Sequence, residues 1–244
     1  MTRWLALLYG AACYLFTGAT VLYTAAFLND LFVPKSINHG GIGDPTTAAG
    51  VDLALILLFG VQHSGMARPG FKRVWTQVLP PPIERSTYVF FSNLVLLLLC
   101  ALWQPMPVVV WDVKEIFAAW FVWLIAGVGI LILAAASFQI DPWELLGLRQ
   151  VWDYWRGRPP ADVPFQVPGL YRYVRHPLML GLLLAIWATP RLTIGRLLFN
   201  AGMTGYILLA LRWEERDLRR RLGAAYDDYR RRVPLLLPWK GRLP

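Results

Sequence analysis

Apolar runs dominate the chain, and its charged residues fall between them. Residues 4–28, 51–66, 86–104, 115–140, 178–189 and 193–211 form six nearly uncharged stretches. A helix crosses the hydrocarbon of a bilayer with about 20 apolar residues, so most of these runs read as membrane spans. The fifth run is the exception, because twelve residues from Leu178 to Thr189 rise only about 18 Å as a helix. The turn signal Thr189-Pro190 follows, and the sixth run begins at once. The pair therefore reads as a helical hairpin whose first arm is short or re-entrant. The predicted fold class is all-α, a polytopic membrane helix bundle of five to six transmembrane helices with a C-terminal hairpin and a cap. One domain is expected over 1–244, with N-terminal helices in 1–140 and the hairpin and cap in 141–244.

Composition sharpens this picture. Hydrophobic residues make up 57% of the 244, charged residues 16%, and the mean hydropathy is +0.45, outside the ranges of soluble domains. With 12 Trp, 12 Phe and 10 Tyr, disorder is excluded as well. The net charge of +9 does not point to nucleic acid, because basic residues of membrane proteins collect in cytoplasmic loops beside anionic lipid. With the N-terminus inside and all six runs crossing, 20 of the 24 Lys and Arg lie on the inner face. Only Lys35, Lys114, Arg191 and Arg196 lie outside. Both termini are thus expected in the cytoplasm, and residues 4–28 read as the first span rather than a cleaved signal. Cys13 and Cys100 sit inside apolar runs with neither redox nor metal spacing, and no metal site is expected.

Polar residues within or at the ends of spans are candidates for function: Asp52, Gln62 and His63, Arg85 and, inside the third run, Asn93, then Gln139 and Asp141. His63, Arg85, Gln139 and Asp141 are predicted at cytoplasmic ends. His39, in the Gly-rich 38–43 loop, reads as a turn residue. The strongest local pattern is Tyr171-Arg172-Tyr173-Val174-Arg175-His176-Pro177-Leu178-Met179-Leu180-Gly181, followed after the hairpin by Glu214-Glu215-Arg216-Asp217-Leu218. Taken singly, the arginines could be membrane-face anchors and the acidic pair a solvated one. A hairpin returns both segments to one face, so His176 and Glu214/Glu215 should be neighbours. An acid pair meeting a His-Arg pair under the aromatics of 141–176 can hold a zwitterionic ligand.

The stretch RHPLMLG at 175–181 resembles the RHPxYxG element of integral-membrane methyltransferases related to isoprenylcysteine carboxyl methyltransferase and phospholipid methyltransferases. Glu214-Glu215-x-x-Leu218, Leu222-Gly223-x-x-Tyr226-x-x-Tyr229 and Pro234 are similar to their C-terminal tail. The resemblance implies S-adenosylmethionine (SAM) as methyl donor, held in 141–244 by Arg175, His176, Gly181, Glu214, Glu215 and Tyr171. Met179 stands where that pattern has Tyr. The segments His63-Ser64-x-Met66-Ala67-Arg68, Glu84-Arg85-Ser86-Thr87-Tyr88 and Asp141-x-x-Glu144-Leu145-x-Gly147-Leu148-x-Gln150 resemble the NnrU-type branch, and the likeness covers nearly the whole chain.

That branch implies a bacterial inner-membrane enzyme acting on a small thiol, methanethiol giving dimethyl sulfide. A simple thiol is mostly protonated at neutral pH while the thiolate is the nucleophile, so the site must take a proton or stabilise the anion. His63 is the candidate base, although a helix-end histidine bonded to a carbonyl is an equal reading. Arg85 or Arg68 is the candidate thiolate stabiliser. Alternative acceptors are hydrogen sulfide, an isoprenylcysteine carboxylate or a lipid amine. A transporter or non-catalytic partner in nitrogen-oxide metabolism is the alternative from another class, but a transporter should carry ionisable residues near the bilayer midplane. No glycine-rich dinucleotide fingerprint is present. Membrane lipid is an expected partner, and the oligomeric state is left open.

Overall fold

The computed structural model describes residues 1–159 and 165–238. Lys240 and Arg242, counted above on the inner face, lie outside the described residues. In chain order the elements are α1 (Arg3–Leu28), α2 (Pro45–Ala67), α3 (Pro69–Trp75), α4 (Pro81–Leu102), β1 (Val109–Asp112), α5 (Ile116–Gln139), α6 (Pro142–Leu145) and α7 (Leu148–Arg156). A 3-10 turn (Gly169–Arg172), α8 (Pro177–Trp187), β2 (Arg191–Thr193), α9 (Ile194–Leu222) and α10 (Ala224–Arg232) follow. Among the described residues α1, α2, α4, α5 and α9 are long and apolar enough to cross a membrane. The chain is an integral-membrane helix bundle, as its apolar pattern predicts. The helix starts are written in sequence. Asp44 accepts from Thr47 N at 2.9 Å ahead of Pro45, Glu115 accepts from Ala118 N at 2.6 Å, and Pro81 and Pro177 open α4 and α8, where a missing N–H costs nothing.

The chain divides into two compact units. The first comprises Met1–Val110, Trp143–Ala161 and Thr193–Gly202. Within it α4 is central and packs on α1, α2 and α7. Gly10 lets α7 approach α1, since a Cβ there would lie 2.4 Å from a Val151 methyl. Gly147, ahead of α7, combines φ +89 with a Cβ position 2.6 Å from Ser86 N, so only glycine fits. Buried polar pairs cross between these helices, Asn93 Nδ2 donating to Thr17 Oγ1 at 2.7 Å and Tyr9 pairing with Thr87 at 3.0 Å. Arg196, counted above as an outside charge, is 3% exposed and donates to the Leu28 carbonyl. It is a buried strut at the start of α9.

The second unit comprises Trp111–Pro142, Asp162–Leu192 and Met203–Pro244. Here α5 and α8 cross at a glycine pair: a Cβ on Gly181 would lie 2.5 Å from Leu133 N, and one on Gly129 2.7 Å from Ala185 N. Close backbone approach replaces the hydrophobic drive that lipid removes. The eleven residues of α8 make the short arm foreseen for the hairpin, and Trp187 Nε1 donates to Thr204 Oγ1 on α9 at 2.9 Å. The turn between them contains β2, paired with β1, a short ladder that the apolar pattern did not predict.

Candidate active site

Two polar clusters carry the predicted site residues, one in each unit. The cluster of the second unit is built around Glu215. Because α8 and α9 return to the same level, His176, directly ahead of α8, meets the far end of α9. Glu215 Oε1 accepts from Arg175 Nε at 2.8 Å, His176 Nε2 at 3.0 Å and Tyr226 Oη at 2.6 Å. Its Oε2 accepts from Arg175 Nη2 at 3.0 Å and faces Arg230 Nε at 3.2 Å. A carboxylate offers about four lone-pair sites, and here all are engaged. Arg175 is engaged as well, for its Nη1 donates to the Val233 carbonyl at 2.5 Å and to the Arg230 carbonyl at 3.3 Å. The backbone completes the joint, since Arg175 N and His176 N donate to the carbonyls of Pro234 and Leu235 at 2.9 and 3.2 Å. Glu215 thus fastens the start of α8, the end of α9, α10 and the segment beyond it.

Glu214 differs from its neighbour. Its side chain is 51% exposed, and its Oε2 stands 3.9 Å from His176 Nδ1. Tyr171 lies in the 3-10 turn, where its carbonyl accepts from Tyr229 Oη at 2.7 Å, and burial together with the Glu214 charge pushes its phenol up to about 12. Gln139 Oε1 caps that turn by accepting from Leu170 N at 2.8 Å. Phe165, Tyr226 and Tyr229 stack edge to face with centroids 5.6–6.0 Å apart. The structure thus brings Tyr171, Arg175, His176, Glu214 and Glu215 together. Gly181 stands apart, at the α5–α8 crossing. Tyr226, Tyr229 and Arg230 belong to the cluster and were not singled out as site residues, although the spacing of the two tyrosines in the tail pattern carried the signal.

The cluster of the first unit joins α2 to α4. Arg85, Tyr88 and Ser92 share one face of α4 by their i, i+3, i+7 spacing, and that face meets His63. The imidazole reaches Ser92 Oγ through Nδ1 at 3.1 Å and Tyr88 Oη through Nε2 at 2.9 Å, while Phe59 stacks on it at 5.3 Å. The Arg85 guanidinium lies 5.1 Å from the centroid of the Tyr88 ring, and its Nε donates to the Leu145 carbonyl at 2.9 Å. Arg68 caps α3 and donates through Nε to the Ser64 carbonyl at 3.1 Å. His63 and Arg85 therefore meet on one tyrosine. Tyr88 and Ser92 belong to this cluster, and the sequence pattern alone does not single them out.

A cavity of about 680 Å³ also runs along α8, lined by Trp111, Leu180, Leu184, Trp187 and Leu237 among others. Its walls carry no charged side chain, so it is unsuited to a zwitterion.

Comparison with known proteins agrees with these motifs. The sequence model of the NnrU protein family matches residues 53–230. The chain is 48% identical over 242 residues to a protein of Mycobacterium tuberculosis named methanethiol S-methyltransferase, covering 99% of both chains. It is 48% identical to methanethiol S-methyltransferase 2 of Bradyrhizobium diazoefficiens, covering 95% of this chain and 89% of that one. The same identity and coverage hold for the methanethiol S-methyltransferase of a Pseudomonas species. No solved structure matches the chain.

Proposed function

Because the chain belongs to the NnrU family, we propose that it transfers a methyl group from S-adenosylmethionine to a small thiol, methanethiol giving dimethyl sulfide. The observation that carries this reading is the 48% identity, over 99% of both chains, to a relative of that name.

The cluster around Glu215 fits such a donor. SAM brings an ammonium, a carboxylate, ribose hydroxyls and a sulfonium, and needs opposite charges at short range. The half-exposed Glu214 carboxylate is the acceptor for the ammonium or the hydroxyls, with His176 Nδ1 and the Tyr171 phenol as further polar contacts. Arg175 and Glu215 contribute by holding these groups in position, and Gly181 by setting the course of α8. When bound, the donor supplies an electrophilic methyl group. The chain's own task is then to present the acceptor as an anion. His63 takes the thiol proton, and the positive charges of Arg85 and Arg68 stabilise the thiolate. Such a protein belongs in a bacterial inner membrane with the donor-binding face in the cytoplasm, where SAM is made.

The apolar cavity along α8 favours a second reading, a lipid-like acceptor. The two are separated by incubating purified protein and SAM with methanethiol, hydrogen sulfide, an isoprenylcysteine or phosphatidylethanolamine. Dimethyl sulfide from methanethiol, with no methylated lipid, supports the first reading. Methylation of the isoprenylcysteine or the lipid alone supports the second.

A further inference from the structure

The start of α1 and the end of α7 bring three arginines together in the first unit. Arg3 opens α1, and its Nη1 lies 3.1 Å from where a Cβ on Gly157 would sit. Gly157, with φ +71, caps the end of α7, so Arg156 and Arg158 flank the point that Arg3 reaches. The missing side chain of Gly157 gives the Arg3 guanidinium its room. Aromatic rings hold two of the three cations. The Arg156 guanidinium stands 5.1 Å from the ring centroids of both Trp152 and Trp155, and that of Arg3 stands 5.9 Å from the centroid of Tyr154. Trp155 in turn meets Trp4 edge to face at 5.0 Å. A ring takes the flat face of a guanidinium and leaves the N–H groups at its edge for an acceptor.

Among the described residues no carboxylate pairs with these three guanidinium groups; Asp153, the acid of α7, stands 4.0 Å from Arg149 instead. Nor are they spent on closing the helix, for Gly157 N and Arg158 N donate to the carbonyls of Tyr154 and Asp153 at 3.1 and 2.9 Å. The surroundings name the missing anion. Trp4, Leu5 and Leu8 are exposed on α1, a helix long and apolar enough to span a membrane. The lipid-facing surface of that span therefore runs up to Arg3, and the tryptophans beside it mark the headgroup level of the bilayer. We propose that Arg3, Arg156 and Arg158 bind the phosphodiester of an anionic phospholipid whose acyl chains lie along the exposed start of α1. A guanidinium fork pairs with two phosphate oxygens. Three cations without a carboxylate select a headgroup of net negative charge, such as phosphatidylglycerol, over phosphatidylcholine, which brings its own ammonium. The lipid then fastens α7 to the membrane surface beside α1.

The test is native mass spectrometry of the whole purified protein in detergent with equal amounts of phosphatidylglycerol and phosphatidylcholine. Wild type is expected to retain phosphatidylglycerol with a preference of about tenfold or more, each arginine at a membrane surface being worth roughly fivefold. Arg3→Gln, Arg156→Gln and Arg158→Gln combined should retain the two lipids equally. Arg220→Gln, Arg231→Gln and Arg232→Gln combined remove the same charge where Asp217 and Asp228 stand close by, and should keep the wild-type preference. Arg156→Lys preserves the charge without the planar fork and should lower the preference about threefold; it decides the matter if the first triple variant does not fold. The site is overturned if wild type retains both lipids alike, if neither the first triple variant nor Arg156→Lys lowers the preference, or if the second triple variant lowers it as far as the first. Displacement of the lipid by an equal concentration of glycerophosphoglycerol, which has no acyl chains, also overturns it, because the site would then take a soluble anion.

Discussion

His176 Nε2 and Glu215 Oε1 stand 3.0 Å apart although 39 residues separate them in the chain. The hairpin of α8 and α9 makes them neighbours, and Tyr226 and the two arginines finish the coordination of the carboxylate. The adjacent Glu214 reaches solvent. Two glutamates side by side in sequence therefore differ in surroundings, one fastened on every side and the other open to the ligand role proposed above.

That division can be tested by substitution. Glu215→Gln leaves Arg175 and Arg230 facing a neutral amide inside a largely buried joint, and breaking such a pair costs about 3–5 kcal/mol. The variant should melt well below the parent. Glu214→Gln, at a half-exposed position, should change stability by less than about 0.5 kcal/mol yet weaken SAM binding about tenfold, as loss of one charged hydrogen bond does. Thermal unfolding and calorimetry on both variants check this. Normal binding by Glu214→Gln would refute its assignment.

Gly181 offers a cleaner separation of packing from binding. Its added methyl would press on Leu133 N and the Gly129 carbonyl, at 2.5 and 2.6 Å, so Gly181→Ala should cost about 1–3 kcal/mol by overpacking. Gly127 on the same helix as Gly129 meets nothing within 4 Å, so Gly127→Ala should not destabilise. The melting temperatures of the two variants in one detergent decide the matter.

Tyr226 predicts an alkaline limit. Burial, then its hydrogen bond to Glu215, raise its phenol above the ordinary value, which is about 10. A group whose folded pKa is raised binds its proton more tightly when folded. Its contribution is complete below about pH 10 and is lost as pH rises toward the folded value. Wild type should thus lose stability above about pH 10 more steeply than Tyr226→Phe. Parallel pH curves for the two would mean that the phenol titrates freely.

Much of this was legible in the sequence because it depends on local pattern. The five long spans followed from the apolar runs, and the meeting of His176 with the glutamates from a hairpin between two marked segments. What was not legible depended on tertiary contacts. Successive helical residues point about 100° apart, so which of Glu214 and Glu215 turns inward is set by the packing of Tyr226 and Arg230 from α10. Arg196 reads as an outside charge in the sequence, whereas in the fold it is buried against the end of α1, where it donates to the Leu28 carbonyl. Tyr88 lies in a quoted motif, and only its meeting with α2 reveals its hydrogen bond to His63. The β1–β2 ladder is too short to leave a periodicity.

Topology is predicted from the 20 to 4 partition of basic residues, although Arg196 now weighs as a buried group. Reporters fused after Pro244 and within 72–82 should be cytoplasmic, and one inserted at 40–44 should be outside. A C-terminus outside the cell would reject the orientation and with it the access of cytosolic SAM.

The central claim, methyl transfer from SAM to methanethiol, is tested most directly with a donor deuterated in its methyl group. Purified protein, labelled SAM and unlabelled methanethiol are incubated, and the headspace is analysed by gas chromatography and mass spectrometry. The account predicts dimethyl sulfide carrying the label in one of its two methyl groups. No dimethyl sulfide, or dimethyl sulfide without label, would contradict it.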